Sequence, residues 1–254
     1  MFFVDTHAHL NDRKLYPIRH DVVKRALERG VKYIFVVGYD LSSSHLAVEI
    51  ASEMENVYAI VGIHPNSIDE ISRIGELESL LEERKVIAVG EIGLDYHWMT
   101  FPKEQQMEGF RIQIDIARRH GLPIVLHVRD AYPDTISIIE EENPPVPVIF
   151  HSFSDRPDTA RWIVERGYFL SFNGMLTYKN RHLHRSLREI GPGNVLSETD
   201  SPYLTPVPHR GKVNEPMYVV DVVEKMARLL EMDVEEVAER LVENTRRAFR
   251  VALD

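Results

Sequence analysis

The chain has 254 residues, 44% of them hydrophobic, and no cysteine. That is enough apolar material for one large domain of α/β-barrel size; the lack of cysteine excludes disulfides and thiolate ligands, so any metal must take nitrogen and oxygen donors. A formal net charge of -10 excludes broad, sequence-independent attraction to duplex nucleic acid, though not a nucleic acid held at a local, metal-bearing site.

Short runs rich in Val, Ile, Phe and Tyr alternate with longer stretches of helical periodicity. In chain order the pattern predicts a strand at 2–8, a helix at 21–29, a strand at 33–37 and a helix at 43–54. A strand at 57–63, a helix at 70–83, a strand at 86–91 and a helix at 102–120 follow. Next come a strand at 124–127, a helix at 131–142, a strand at 148–151 and a helix at 157–166. The last are a strand at 168–171, a helix at 181–189 and a strand at 195–198. The tail from 215 to 254 reads as helical, with breaks at 232–233 and 243–244. Gly30, Gly121 and Gly167 stand where a helix stops before the next strand. No run of about 18 apolar residues and no basic-then-apolar leader is seen, so a cytoplasmic chain without membrane contact is expected.

Eight strands alternating with helices is the count of a (β/α)8 TIM barrel, here expected as a single domain over 1–254 with C-terminal helices. A doubly wound open sheet shows the same alternation, and periodicity does not separate the two. Position does. His7, His9, His64, Glu91, His127, His151 and Asp200 all fall at or just past the C-terminal end of a predicted strand. Barrel enzymes assemble their sites at that rim from several strands, whereas an open sheet collects its site at one switch point. In Val4-Asp5-Thr6-His7-Ala8-His9-Leu10, strand alternation puts His7 and His9 on one face, preplaced to hold a divalent cation.

In order, the candidate donors are His-x-His, Glu, His, His and Asp, which resembles the metal centres of amidohydrolase-like hydrolases. The flanking segments resemble one branch closely, the TatD family of metal-dependent deoxyribonucleases. They are the opening segment just quoted, Gly62-Ile63-His64-Pro65, Gly90-Glu91-Ile92-Gly93-Leu94-Asp95-Tyr96 and Leu126-His127-Val128-Arg129. Phe150-His151-Ser152-Phe153-Ser154, Glu198-Thr199-Asp200-Ser201-Pro202-Tyr203-Leu204 and Arg210-Gly211-Lys212-Val213-Asn214-Glu215-Pro216 complete the set. The resemblance spans the whole chain. It departs after His151, where the family commonly has Cys in place of Ser152 and Gly in place of Asp155; Asp155 adds a negative charge near the expected anion-binding rim.

The resemblance implies one metal ion held by His7, His9, Glu91 and Asp200 and a second by Glu91, His127 and His151, with Glu91 bridging. It also implies a DNA substrate and Mg²⁺- or Mn²⁺-supported hydrolysis, with 3′→5′ exonuclease action on single-stranded ends. Histidine-rich ligation suits Zn²⁺ or another transition metal better than Mg²⁺. A carboxylate bridging two cations makes a shared hydroxide nucleophilic near neutral pH, and Asp200 can orient that water and take its proton. For Asp200 the competing expectation is a helix N-cap in Asp-Ser-Pro.

His64, Arg129 and Arg210 are candidate substrate contacts. Loop ordering by His64 and support of a ligand by Arg129 compete with phosphate binding. Asp95 and Glu198 read as supports for ligands rather than ligands. Tyr96, Trp98, Tyr178 and Tyr203 fall in rim loops, where stacking on unpaired bases competes with ordinary packing. Lys179, Arg181, Arg185, Arg210 and Lys212 bring positive charge to the last two βα loops, as a solvated loop also would. His182-x-His184 repeats the opening spacing inside a predicted helix, where side chains two residues apart diverge, and is not read as a metal site.

Two other functions fit less fully. The same centre could hydrolyse a small amide, ester or phosphoester; a non-catalytic binding barrel is opposed by the full donor set. The PHP phosphoesterase family resembles the opening only. No segment marks an obligate protein partner.

Overall fold

Eight parallel strands follow one another around a barrel in chain order, each hydrogen-bonded to the next. The computed structural model describes residues 1–254. The strands are β1 (Phe3–Ala8), β2 (Val31–Val37), β3 (Val57–Val61) and β4 (Val86–Asp95), then β5 (Ile124–Arg129), β6 (Val148–Phe150), β7 (Phe169–Phe172) and β8 (Val195–Ser197). After them in turn come α1 (Arg19–Glu28), α2 (Leu41–Glu53), α3 (Ile74–Leu80), α4 (Lys103–His120), α5 (Tyr132–Glu142), α6 (Pro157–Glu165), α7 (Arg181–Ile190) and α8 (Val219–Leu230). A further helix, α9 (Val234–Phe249), closes the series. This is the barrel expected from eight alternating strands with the unusual residues at their C-terminal ends.

Strand periodicity explains how the core divides. In β2, Ile34 and Val36 join a large apolar cluster shared with helix residues such as Val22, Ile50 and Phe110. Phe35 and Val37 join a smaller one that takes at least one residue from every strand, among them Val4, Ile60, Val125, Ile149 and Leu196. This inner cluster also contains Phe249 and Leu253. The Phe249 ring packs edge-on against Phe35 with centroids 4.8 Å apart, so α9 closes the barrel's floor.

The seam between β1 and β8 is made largely by side chains. Thr6 Oγ1 donates to Ser197 O at 3.0 Å, and Ser197 Oγ donates to Val4 O at 3.1 Å. Asp5, fully buried, accepts from Thr199 through both carboxylate oxygens, from the backbone N–H at 2.8 Å and from the hydroxyl. Just beyond the strands the backbones join, Asp200 N–H to His7 O at 2.9 Å and His9 N–H to Ser201 O at 2.8 Å.

Three expectations are corrected. The helix at 70–83 is instead 3-10 structure over Pro65–Arg73, kinked at Ser67, followed by the short α3. Ile68, Ile71 and Ile74 all face the core, and a spacing of three aligns on a 3-10 helix rather than an α-helix. The strand at 86–91 continues to Asp95, its pairing with β5 skipping between Val89 and Ile92 around Glu91. Gly93 permits that extension: its φ is +135°, and a Cβ there would lie 2.2 Å from His127 O. Finally, the break at 232–233 is present, but the one at 243–244 is not. Asn244 is fully buried inside α9, where its amide donates to Pro192 O at 2.7 Å and Val195 O at 2.8 Å. A residue that reads as a breaker is spent tying α9 to β8.

Replacing Asn244 with Ala strands those two carbonyls and is expected to cost roughly 1–3 kcal/mol. Urea unfolding checks it, with the midpoint falling and the slope unchanged.

Candidate metal centre

Because the strands are parallel and consecutive, their C-terminal ends form one rim, and the candidate donors meet there. His7 lies in β1 one residue before its end, His9 follows the strand, Glu91 sits at the skip in β4 and His127 lies in β5. His151 follows β6, and Asp200 lies three residues past β8. Glu91 is at the middle. Its Oε2 lies 3.5 Å from His7 Nε2 and 4.0 Å from His9 Nε2. Its Oε1 lies 2.6 Å from His127 Nδ1 and 2.8 Å from His151 Nε2. Asp200 Oδ1 lies 3.3 Å from His9 Nε2 and 3.9 Å from His7 Nε2. All six predicted donors are therefore together. No helix begins at Asp200; its φ of 56° turns the chain, and the next α-helix is α8, so the N-cap expectation fails.

The fit to a cation is testable on His7. Both of its ring nitrogens are buried without a hydrogen-bond partner, 3.5 Å being too long for a good bond to Glu91. A buried polar atom left unpaired costs roughly 1–3 kcal/mol, a penalty that a coordinated ion removes. Donor chemistry agrees, since imidazoles and carboxylates without thiolates suit Zn²⁺ or Mn²⁺.

Hydrogen bonds sort the imidazoles. His9 Nδ1 must donate to the Val37 carbonyl at 2.9 Å, which leaves Nε2 with its lone pair toward Asp200 and Glu91. Both nitrogens of His127 face carboxylate acceptors, Nε2 donating to Asp95 Oδ2 at 3.0 Å and Nδ1 to Glu91 Oε1 at 2.6 Å; a cation taking the place of the Nδ1 proton would leave the bond to Asp95 intact. His64 is the reverse. Its Nδ1 accepts from the Asn66 N–H at 3.0 Å, so the neutral ring carries its proton on Nε2, 3.8 Å from Glu91 Oε1. Burial, with His127 beside it, pushes His64 down to about 3 and keeps it neutral. Although His64, Glu91 and His127 cluster closely enough to hold an ion, this tautomer makes His64 a fixed donor into the site.

Electrostatics bind the rest. Burial opposes charge on Glu91, but His151, His127 and His7 outweigh it and hold the carboxyl well below its usual range. Burial likewise opposes charge on His151, and Glu91 and Glu198 overcome it, raising the imidazole well above its ordinary value. Glu198 is buried behind His151, 3.4 Å from its Nδ1, and accepts from the Ser152 N–H at 2.9 Å, Asn173 Nδ2 at 3.1 Å and Ser171 Oγ. Asp95 and Glu198 thus stand behind ligand candidates, as expected. Ser171, Asn173 and Asn66 were not singled out from sequence; Asn173 follows the end of β7, where the rim rule used for the histidines would have found it.

His9, His64, Glu91, His127, His151 and Asp200 line a cavity of about 880 Å³ that also takes in Tyr39, Trp98, Arg129 and Tyr203. Arg129 is exposed on its wall. Arg210 stands outside it, over the Tyr178 ring at 4.1 Å. Asp155 also lies outside, with Oδ2 accepting from Thr159 Oγ1 at 2.6 Å. His184 Nε2 is bonded to Leu176 O at 2.8 Å within its helical setting, away from the centre.

A family model described as TatD related DNase matches residues 4–250. The chain belongs to the TatD family. Its relatives include the uncharacterized metal-dependent hydrolase YabD of Bacillus subtilis, 42% identical over 253 residues, covering 97% of this chain and 98% of YabD. YcfH of Escherichia coli K12, also an uncharacterized metal-dependent hydrolase, is 36% identical over 256 residues, with 99% and 97% covered. The crystal structure of YJJV, a TatD homologue from Escherichia coli, matches with a TM-score of 0.91 at 27% identity over 98% of each chain. Like these relatives, this TatD family chain is a metal-dependent hydrolase.

An ion that binds only the folded state stabilises it, by about 2.7 kcal/mol at a roughly hundredfold excess over Kd. Mn²⁺ added to chelator-stripped protein is expected to raise Tm, and Glu91→Gln to abolish most of that rise. Thermal unfolding with and without Mn²⁺ checks both.

Proposed function

We propose that the protein hydrolyses phosphodiester bonds of DNA, as a 3′→5′ exonuclease on single-stranded ends, with two divalent ions at the rim. His7, His9, Glu91 and Asp200 hold one ion; Glu91, His127 and His151 hold the other. The observation that carries this is the division of Glu91, whose Oε2 faces His7 and His9 while Oε1 faces His127 and His151. A carboxylate with each oxygen turned to a different donor set is placed to bridge. The DNA substrate is supported by the description of the matching family model and by a cavity of about 880 Å³ that opens onto the donors.

When bound, the ions supply Lewis acidity and a nucleophile at neutral pH. The residues do the rest. Asp200, on the cavity wall with Oδ1 turned to His9, takes the proton from the attacking water. His64 offers its Nε2–H to a phosphate oxygen as negative charge develops at phosphorus. Asp95 and Glu198 keep the imidazoles of His127 and His151 turned inward.

Three outcomes are expected. With Mn²⁺ present, an oligonucleotide labelled at its 5′ end should shorten stepwise, whereas a 3′ label should be released at once; the opposite pattern reverses the polarity. Single strands should be cut faster than a matched blunt duplex, since freeing a paired terminal base costs roughly a few kcal/mol. Asp200→Asn, saturated with metal, should lose roughly 10²–10⁴-fold in turnover while DNA binding and the metal-free Tm hold. Turnover near that of the unaltered enzyme would remove Asp200 from the reaction.

A further inference from the structure

Beyond β4 and β5 the cavity wall carries a flat group that the chemistry above does not use. Trp98 lines the cavity yet is 63% exposed. An indole offers roughly 150–250 Å² of largely apolar surface, and here the fold leaves most of it in water. The loop that presents it is nonetheless anchored. Asp95 Oδ1 accepts from the backbone N–H of both His97 and Trp98, each at 3.0 Å. The other oxygen of that carboxylate accepts from His127 Nε2 at 3.0 Å. One buried side chain therefore sets the register between the indole and the reactive centre.

Arg129 completes the feature. Its guanidinium stands over the Trp98 ring, 5.6 Å from the centroid, exposed and paired with no carboxylate. The neighbouring Asp130 is instead engaged by His97, at 3.3 Å. A flat ring with a free cation beside it, on the wall of a cavity that holds a phosphodiester, matches a base and its flanking phosphate. Every base has a π-face, so stacking of this kind serves a strand of any sequence, and a guanidinium can stack or meet a phosphate oxygen.

We infer that Trp98, with Arg129 beside it, is a nucleobase subsite: an unpaired base of the strand under attack lies on the indole, and the guanidinium meets an adjacent phosphate oxygen. The inference rests on the DNA phosphodiesterase reading. It assigns Trp98 to substrate binding rather than to the reaction, so its loss should raise KM and leave kcat in place.

The experiment uses the full-length Mn²⁺-loaded enzyme, Trp98→Ala and Trp98→Phe, on single-stranded oligonucleotides in which one nucleotide near the cleaved end at a time is made abasic. One stacked base is worth roughly 5- to 150-fold in affinity. Trp98→Ala is expected to raise KM on the intact oligonucleotide by that order, and Trp98→Phe to recover most of it. One abasic position should cost the unaltered enzyme a similar factor and cost Trp98→Ala nothing more. Melting temperature and metal content of both variants should match the parent, which a merely structural role for Trp98 would not predict. If the losses multiply at every position, or if KM is indifferent to Trp98→Ala, the subsite is wrong while the phosphodiesterase reading stands. If the unaltered enzyme cleaves no oligonucleotide, that reading falls and the subsite falls with it.

Discussion

Closure of β1 onto β8 is the constraint on which the rest depends. The two strands lie at opposite ends of the sheet order and some 190 residues apart, and they meet through Thr6, Ser197, Asp5 and Thr199. The same seam carries His7 and His9 on one side and Asp200 on the other, and the bond from Asp200 N–H to His7 O is part of it. Geometry at the centre is thus a by-product of how the barrel shuts. A slip of one residue would turn the inward side chains outward, and the side-chain bonds of Asp5 to Thr199 leave little freedom for one.

Around that seam the buried charges are arranged in layers. Glu91 occupies the middle, imidazoles surround it, and Asp95 and Glu198 stand behind two of those imidazoles. Each outer carboxylate is itself satisfied by further donors, Asp95 by two backbone N–H groups and Glu198 by Ser152, Ser171 and Asn173. Buried charge is costly unless it is paired and hydrogen-bonded, and this layering meets that demand from the outside inward. It also orients the rings. His9, fixed through Val37 O, turns a lone pair to the centre, whereas His64, fixed through Asn66 N–H, turns a proton to it.

Much of this was legible in the sequence. Alternation predicted eight strands with helices between them, and the position of His7, His9, Glu91, His127, His151 and Asp200 at strand ends chose the barrel over an open sheet and predicted their convergence. What escaped was local and depended on partners far along the chain. The 3-10 run at Pro65–Arg73 follows from packing of Ile68, Ile71 and Ile74, which a window of apolar residues does not distinguish from an α-helix. Continuity of α9 through Asn244 depends on carbonyls at Pro192 and Val195. The extension of β4 depends on Gly93 lying against His127. The tautomers of His9 and His64 needed Val37 and Asn66 in place, and Arg210 needed the position of Tyr178 to be seen outside the cavity.

The floor built by α9 has a consequence for the order in which the molecule is made. Of the eight strands β1 is made before the rest, but one of its edges is covered only by β8, and the inner cluster beneath it is completed only by Phe249 and Leu253. Throughout synthesis the nascent chain therefore carries an unpaired strand edge and an open apolar interior, features that favour association between chains. Contacts of such long sequence separation also make folding slow relative to helical proteins. Translation of α9 and of the residues after it as far as Leu253, rather than of β8, is the event that seals the barrel and ends this exposure.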